Sequence, residues 1–156
     1  MQIHATAIQW HKKGILFIGK SGVGKSTAAL LLLDKGAHLV ADDQVILTKK
    51  ANQCVASCPK TIQNKLEVRG VGIVSIKTKK RAAIDFVVNL TADYKAVPRM
   101  PDETIWAVED IVLPSITLCA FDTAFCQRLD AYIKTLSSFC LQKKVKRARS
   151  KANKEA

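Results

Sequence analysis

The residues from Gly19 to Ser26 match the phosphate-loop pattern Gly-x-x-x-x-Gly-Lys-Ser/Thr at every fixed position. Glycines free such a loop to turn its backbone N–H groups toward a polyphosphate. Within the loop, Lys25 would reach the β- and γ-phosphates, and the Ser26 hydroxyl would bind Mg²⁺. The predicted ligand is a nucleoside triphosphate with magnesium, and the residues predicted to hold it are Gly19, Lys20, Ser21, Gly22, Val23, Gly24, Lys25, Ser26 and Thr27.

Two adjacent carboxylates, Asp42 and Asp43, follow an apolar stretch that begins at Ala37. A magnesium nucleotide site needs one carboxylate to hold the ion or its waters and another to handle a proton. Paired aspartates are also common in turns, so these two residues decide nothing by themselves. Together with the phosphate loop they favour a catalytic site.

Further along the chain, Glu67 and Arg69 alternate along a predicted strand, so both side chains lie on the same face. One interpretation is a surface strand whose charges can form an ion pair. The other is a metal-binding carboxylate beside an arginine directed at phosphate. The residues alone leave both interpretations open.

The elements around these residues predict how they come together. An apolar strand over residues 15–18 precedes the phosphate loop, and strong helix formers over residues 27–34 follow it. Residues 1–10 read as another strand and are predicted to form an antiparallel hairpin with residues 15–18. That hairpin would bring His4 towards the same end of the sheet as the phosphate loop. On its local sequence, His4 is an ordinary edge-strand histidine.

The remainder of the chain continues as strands and a closing helix. Strands are predicted over residues 84–90, 104–113 and 116–121, the last two separated by a turn at Pro114. The apolar stripe of residues 123–141 predicts a helix there. The order of these elements predicts an α/β fold.

Length and composition fit one domain with a basic end. A chain of 156 residues with 48% hydrophobic and 24% charged residues is typical of a globular protein. Seven of the 25 lysines and arginines lie between residues 143 and 154, which concentrates the net charge of +12 at the end of the chain. Residues 1–142 are therefore predicted to form a phosphate-loop catalytic domain, and residues 143–156 a basic, disordered tail. The alternative for the tail is a patch that binds nucleic acid or an acidic partner.

Cysteine usage and hydropathy predict the compartment. Five cysteines occur at irregular spacings without a zinc-type Cys-x-x-Cys pair, which favours free thiols in a reducing compartment. Neither a secretory signal nor an apolar run long enough to span a bilayer is visible. The protein is expected in the cytoplasm, with no membrane partner.

Four segments taken together resemble the catalytic domain of HPr kinase/phosphorylase, an enzyme that acts on a serine of the phosphocarrier protein HPr. They are His4 and residues 19–26, 36–45 and 66–73. The resemblance implies an α/β phosphate-loop domain similar to the catalytic domain of phosphoenolpyruvate carboxykinase, with a C-terminal helix. It also implies an ATP-dependent protein-serine kinase that uses Mg²⁺ and acts on an HPr-type phosphocarrier. Phosphorolysis of the phosphoserine product is an activity that it leaves open.

The resemblance implies catalytic roles for five residues of this sequence. Asp43 would be the general base that takes the proton from the substrate serine. His4 and Lys25 would contact the phosphates. Arg69 matches an arginine in the segment that the family uses in both directions of the reaction, and Arg99 matches the family's downstream catalytic arginine.

Metal ligands and assembly are implied in the same way. Ser26 and Glu67 would bind magnesium, with Asp42 as a supporting carboxylate. Many members have an acidic residue at the position of Thr27. Full-length members carry another domain before this one, so the chain is expected to be a short form that lacks the N-terminal domain. Hexamers occur in the family, which makes a homo-oligomer an expectation here.

Two other functions stay open at this point. One is a small-molecule kinase related to this family, because the acceptor pocket cannot be read from the sequence. The other is a nucleotide-dependent binding module whose basic tail contacts an acidic protein or, less favoured, nucleic acid. The carboxylates Asp42, Asp43 and Glu67 favour an enzyme, because a binding module does not need a base.

Overall fold

The computed structural model describes residues 1–136 and 139–155, and over these residues it has the α/β fold predicted from the sequence. The strands are β1 (Gln2–His4), β2 (Thr6–Trp10), β3 (Lys13–Ile18), β4 (His38–Ala41), β5 (Gln44–Lys50), β6 (Gln53–Ser57), β7 (Lys65–Val68), β8 (Gly72–Ser75), β9 (Arg81–Leu90), β10 (Thr104–Val108) and β11 (Ile111–Leu118). The helices are α1 (Lys25–Leu33), α2 (Phe125–Thr135) and α3 (Phe139–Glu155). None of the helices in this part of the chain has both the length and the apolar character to cross a bilayer.

The main sheet is organised around β9. Along the main path the strand order is β1-β5-β6-β9-β3-β2-β4, and β11, which carries β10 on its other side, also pairs with β9. β6 pairs antiparallel with the first half of β9, and β11 pairs parallel with its second half. Both strands therefore share the edge of β9 that lies opposite β3, and the sheet curls. β7 and β8 form a separate antiparallel hairpin.

β2 and β3 form the antiparallel hairpin predicted from the sequence, with Thr6 opposite Phe17. β3 then runs parallel to β9 and leads directly into the phosphate loop. Gly14 lies where β3 meets β9, and a Cβ on this residue would be 1.9 Å from the carbonyl oxygen of Ala83. This close backbone approach explains why β3 contains a glycine among large apolar residues.

Hydrophobic clusters cover both faces of the sheet. Phe17 of β3 and Phe86 of β9 pack with Phe125 of α2 in a cluster that also includes α1. Their sequence neighbours Leu16 and Val87 point to the opposite face and belong to a second cluster, inside the curl of the sheet. Both strands are buried on both faces, which is why they read as continuous apolar runs. Together the clusters hold the end of β3, and with it the phosphate loop, in a fixed position.

The prediction of a turn at Pro114 is wrong. β10 and β11 are joined at Glu109, which has a φ of 51°, and Pro114 lies inside β11 opposite Ile105. β11 pairs with β9 from Ser115 onward, so the missing N–H of Pro114 comes before that ladder begins. A proline is tolerated in a strand at such a position.

Helix α3 includes residues 143–155 of the segment that is predicted from the sequence to be a basic, disordered tail. The closing helix predicted over residues 123–141 corresponds to α2, which ends at Thr135, and α3 follows it. Residues 137, 138 and 156, which these predictions include, lie outside the described residues. Arg149 of α3 donates from Nε to the carbonyl oxygen of Val112 at 3.0 Å and from Nη1 to that of Asn52 at 3.2 Å. These contacts join α3 to backbone atoms of β11 and of the turn between β5 and β6.

Candidate active site

An open cavity of about 260 Å³ lies where the chain leaves β3 and enters α1. The residues that line it come from distant parts of the sequence: His4, Thr6, Ser21, Gly22, Gly24, Lys25, Ser26, Thr27, Leu30, Asp43, Glu67, Val68, Arg69 and Phe121. The structure therefore brings the phosphate loop together with four of the other predicted site residues. These are His4, Asp43, Glu67 and Arg69.

The phosphate loop enters α1 through Gly24, the N-cap residue of the helix, which has a φ of 101°. Glycine adopts this conformation without steric cost. A Cβ at this position would also lie 3.0 Å from the Cβ of Ala120 and 3.2 Å from the ring of Phe121. Because Gly24, Lys25 and Ser26 line the cavity, the free N–H groups and the positive dipole end of α1 are available to an anion there.

Lys25 is buried, with 7% of its surface exposed, although it carries an ammonium group. Its Nζ donates to the carbonyl oxygens of Gly19 at 2.7 Å and Lys20 at 2.9 Å, so it ties the loop together from inside. Burial lowers the pKa of this ammonium, and the carboxylates of Asp43 and Asp42 act in the opposite direction. A phosphate in the cavity would place a negative charge beside this buried cation.

Asp42 lies behind the cavity in a buried polar network, with 7% of its surface exposed. Its Oδ1 accepts a hydrogen bond from Thr6 Oγ1 at 2.9 Å and another from Ser26 Oγ at 2.8 Å. Thr6 is fully buried. The network fixes the position of the Ser26 hydroxyl at the start of α1.

Asp43 faces the cavity because the backbone turns sharply at this residue. Its φ is 71°, and across it the Gln44 N–H donates to the carbonyl oxygen of Asp42 at 2.9 Å. This is a γ-turn with positive φ, a strained conformation that costs about 1–3 kcal/mol and is common at functional sites. The turn sends the two adjacent carboxylates to different places, Asp42 inward to Thr6 and Asp43 outward into the cavity.

His4 pairs with Asp43 at the mouth of the cavity. Nδ1 of His4 lies 3.1 Å from Oδ1 of Asp43, and both side chains are open to solvent. The backbone keeps the two residues together, because His4 lies opposite Gln44 in the pairing of β1 with β5 and the Ala5 N–H donates to the carbonyl oxygen of Asp43 at 3.2 Å. His4 therefore lies beside the catalytic carboxylate predicted from the sequence.

The hairpin of β7 and β8 closes another side of the cavity. Glu67 and Arg69 both line it, together with Val68 between them, and Arg69 lies in the turn after β7 instead of on the strand face expected from the sequence. Arg99, by contrast, lies in an exposed loop before β10 and is absent from the residues that line the cavity. Val23, at the back of the phosphate loop, packs against the hydrophobic cluster that contains α1.

The oxygen atoms at the start of α1 fit a magnesium ion. The Ser26 hydroxyl and the Asp42 carboxylate are hard oxygen donors, and their oxygens lie 2.8 Å apart. Among the described residues, no group of three or more His, Cys, Asp or Glu side chains could hold a metal ion. Mg²⁺ commonly completes such a site with phosphate and water oxygens. The arrangement can thus neutralise a polyphosphate and accept a proton beside it.

Four residues that line the cavity are not among the predicted site residues: Thr6, Leu30, Val68 and Phe121. Thr6 lies two residues after His4, and that spacing is the signal that could have indicated a shared face. Phe121 carries no motif. Its ring lies beside Gly24, where an added Cβ would be 3.2 Å away.

Comparisons with known proteins show which family the chain is similar to. The family described as "HPr Serine kinase C-terminal domain" matches residues 1–122. The HPr kinase/phosphorylase of Geobacter sulfurreducens is 34% identical over 128 residues, covering 74% of this chain and 40% of the relative. That of Brevibacillus brevis is 39% identical over 127 residues, covering 74% and 41%. The chain thus spans about two fifths of the length of these relatives.

A solved structure extends the likeness to three dimensions. The Hpr(Ser) kinase/phosphatase from Coxiella burnetii superposes with a TM-score of 0.71 at 25% sequence identity. The match covers 87% of this chain and 93% of that one. The fold described above is therefore similar to that of a protein whose name includes both a kinase and a phosphatase.

Proposed function

The chain belongs to the HPr serine kinase C-terminal domain family, and from this premise we propose that it is an ATP-dependent kinase that phosphorylates a serine of an HPr-type phosphocarrier protein. One observation carries the proposal, namely that the phosphate loop and the Asp43 carboxylate line the same cavity. A phosphate loop alone binds a nucleotide. A carboxylate that faces the same space supplies the base that transfer to a hydroxyl group requires.

In the proposed reaction Asp43 takes the proton from the hydroxyl of the substrate serine. At the same time the serine oxygen forms a bond to the γ-phosphorus. The bond between that phosphorus and the bridging oxygen breaks, and ADP leaves. Asp43 suits this role because its side chain is 67% exposed, so the hydroxyl of a protein substrate can approach it directly. In the reverse direction, the protonated Asp43 would return its proton to the serine oxygen.

Three nitrogen-bearing side chains around the cavity would position the phosphates. Lys25 would exchange its two loop carbonyls for phosphate oxygens, and His4 and Arg69 would face the transferring group from the other side. Arg99 would join them only through a movement of its loop. Charge neutralisation and alignment supply most of the catalysis in phosphoryl transfer.

Magnesium would be held by the Ser26 hydroxyl and the carboxylates of Asp42 and Glu67. When bound with ATP, the ion supplies charge neutralisation at the β- and γ-phosphates. The pair of Ser26 and Asp42 fits this role by its chemistry and its hydrogen bond. Glu67 lies across the cavity on β7 and would complete the set through oxygen or water.

The test is phosphorylation of a purified HPr-type protein by this chain with ATP and Mg²⁺, read by intact mass. We expect one added phosphate that survives acid and maps to a serine. Transfer to free serine or a sugar with no transfer to protein would instead support the related small-molecule kinase. ATP binding without any transfer would support the binding module. Phosphorolysis is read separately, as pyrophosphate released from the phosphoprotein by inorganic phosphate.

Thr6 provides a second prediction, because its hydroxyl positions Asp42. Thr6→Val removes this donor at nearly constant side-chain volume. Of the two hydrogen bonds to Asp42 Oδ1, the one from Ser26 Oγ would remain. Outer-shell partners of metal ligands typically contribute about 10–100-fold to metal affinity or activity. We therefore expect the Mg²⁺ concentration for half-maximal ATP binding to rise by about tenfold.

Thr6→Ser is the matched control, since it keeps the hydroxyl and loses only a methyl group. It should behave like the wild-type protein in the Mg²⁺ titration. If Thr6→Val retained the wild-type Mg²⁺ requirement while remaining folded, the assignment of Asp42 to the metal would be contradicted.

A further inference from the structure

Phe121 follows β11 and lies against the start of α1. Its neighbour Ala120 is buried, whereas Phe121 is 55% exposed. A Cβ built on Gly24 would lie 3.2 Å from its ring, so the ring stands directly beside the entrance to the helix. Isolated exposed apolar residues are ordinary on protein surfaces and indicate nothing by themselves. What distinguishes Phe121 is that it lines the same cavity as the phosphate loop.

The cavity is too small for a complete nucleotide. Its volume of about 260 Å³ lies below the range of roughly 300–1,000 Å³ that is usual for pockets which enclose whole cofactors. The phosphates would occupy the part lined by Lys25 and Ser26. The nucleoside of a bound nucleotide would therefore extend past the phosphate loop and out through the open side of the cavity.

The apolar wall lies along α1 and Phe121. Thr27 and Leu30 are one helical turn apart and so lie on the same face of α1, and both line the cavity. Leu30 is 43% exposed and also lines a groove between α1 and the beginning of α2, with Thr123, Cys126 and others. Leu30 thus lines both the phosphate cavity and this groove, which also contains the polar side chains of Asp34, Lys35 and Gln127, and Phe121 lines the phosphate cavity with Leu30.

We propose that Phe121 and Leu30 form the nucleobase subsite of this protein, in which the purine ring of the nucleotide stacks on Phe121 and rests against Leu30. The inference rests on the proposed function and extends it to the part of the nucleotide that the phosphate loop does not contact. A ring stacked on an aromatic side chain gains roughly five- to 150-fold in affinity. Neither side chain offers a hydrogen bond to a base edge, so the subsite takes adenine and guanine with similar affinity.

The experiment compares ATP with inorganic tripolyphosphate, which carries the phosphates without the base. Dissociation constants for both are measured by calorimetry with Mg²⁺ on the wild-type chain, Phe121→Leu and Phe121→Trp. We expect the wild-type chain to bind ATP at least about fivefold more tightly than tripolyphosphate. Phe121→Leu should bind ATP about tenfold more weakly and should keep its affinity for tripolyphosphate. Phe121→Trp should keep its affinity for both ligands.

Ile105→Ala is the matched control, because Ile105 is an exposed apolar side chain on β10 away from the cavity. It should change neither affinity. Equal binding of ATP and tripolyphosphate by the wild-type chain would overturn the subsite and leave the proposed function standing. Equal weakening of both ligands in Phe121→Leu would likewise overturn it, because the ring would then support the loop and not the base. A wild-type chain that bound neither ligand would overturn the proposed function and the subsite together.

Discussion

Replacement of Asp43 by asparagine is expected to slow phosphoryl transfer to the serine of an HPr-type protein by about 10²–10⁴-fold, which is the usual contribution of a general base. Asparagine keeps the size of the side chain and tolerates the positive φ of 71° at this position, so the turn should survive. Binding of ATP should change little, because the phosphate loop stays intact. The measurement is the initial rate of phosphoprotein formation, beside a calorimetric dissociation constant for ATP.

Two comparisons make this prediction specific to Asp43. Asp110→Asn removes an exposed carboxylate that pairs with Lys49 at 3.2 Å, and it should keep the wild-type rate because such surface pairs contribute little. Asp42→Asn should raise the Mg²⁺ requirement, since Asp42 holds the Ser26 hydroxyl. A rate for Asp43→Asn within about tenfold of wild type would contradict a base that ordinarily contributes 10²-fold or more.

The features that the sequence analysis predicts are those encoded locally. The phosphate loop is contiguous, and its strand and helix are its direct neighbours, so its place at the end of β3 follows from the order of elements. The hairpin of residues 6–10 with residues 13–17 is confirmed by the pairing of β2 with β3, but His4 lies in β1 and reaches the cavity through the pairing of β1 with β5. Glu67 lies on a strand as expected, but β7 ends at Val68, and Arg69 reaches the cavity from the turn that follows.

The different orientations of Asp42 and Asp43 could not be predicted, because they depend on one backbone angle. Adjacent residues in a regular strand would also point in opposite directions, but only the γ-turn at Asp43 decides which of the two carboxylates faces the cavity. The partner of the inward one, Thr6, lies 36 residues away in sequence. Contacts of this kind come from tertiary packing and leave no local pattern.

Gly14 and α3 illustrate the same limit. Gly14 lies just before the strand predicted over residues 15–18, whereas in the fold it lies within β3 and lets β3 approach the backbone of Ala83. The basic composition of residues 143–156 predicts solvation, but two main-chain carbonyls at the sheet edge accept hydrogen bonds from Arg149. In each case a residue's role is set by backbone atoms that are distant in sequence, which composition and periodicity cannot reveal.

Lys25→Met is expected to lower kcat/KM for phosphoryl transfer by about 10²–10³-fold, the usual effect of removing one donor that stabilises transferring charge. Methionine fills a similar volume but cannot donate to phosphate. Burial lowers the pKa of the Lys25 ammonium, so this cation is poorly solvated without a ligand and gains most when a phosphate arrives. The weaker interaction should appear already in the ground state, as a smaller thermal stabilisation by MgATP.

Stability and binding must be separated in this variant, because Lys25 also donates to the carbonyl oxygens of Gly19 and Lys20. The melting temperature without nucleotide reports the loss of those two bonds, and the shift produced by MgATP reports the loss of the phosphate contact. Lys50→Met, an exposed residue at the end of β5, controls for removal of a positive charge and should match the wild type in both readings. If Lys25→Met were stabilised by MgATP as strongly as the wild type, the cavity at the start of α1 could not be the triphosphate site, because its buried cation would have no part in holding the phosphates.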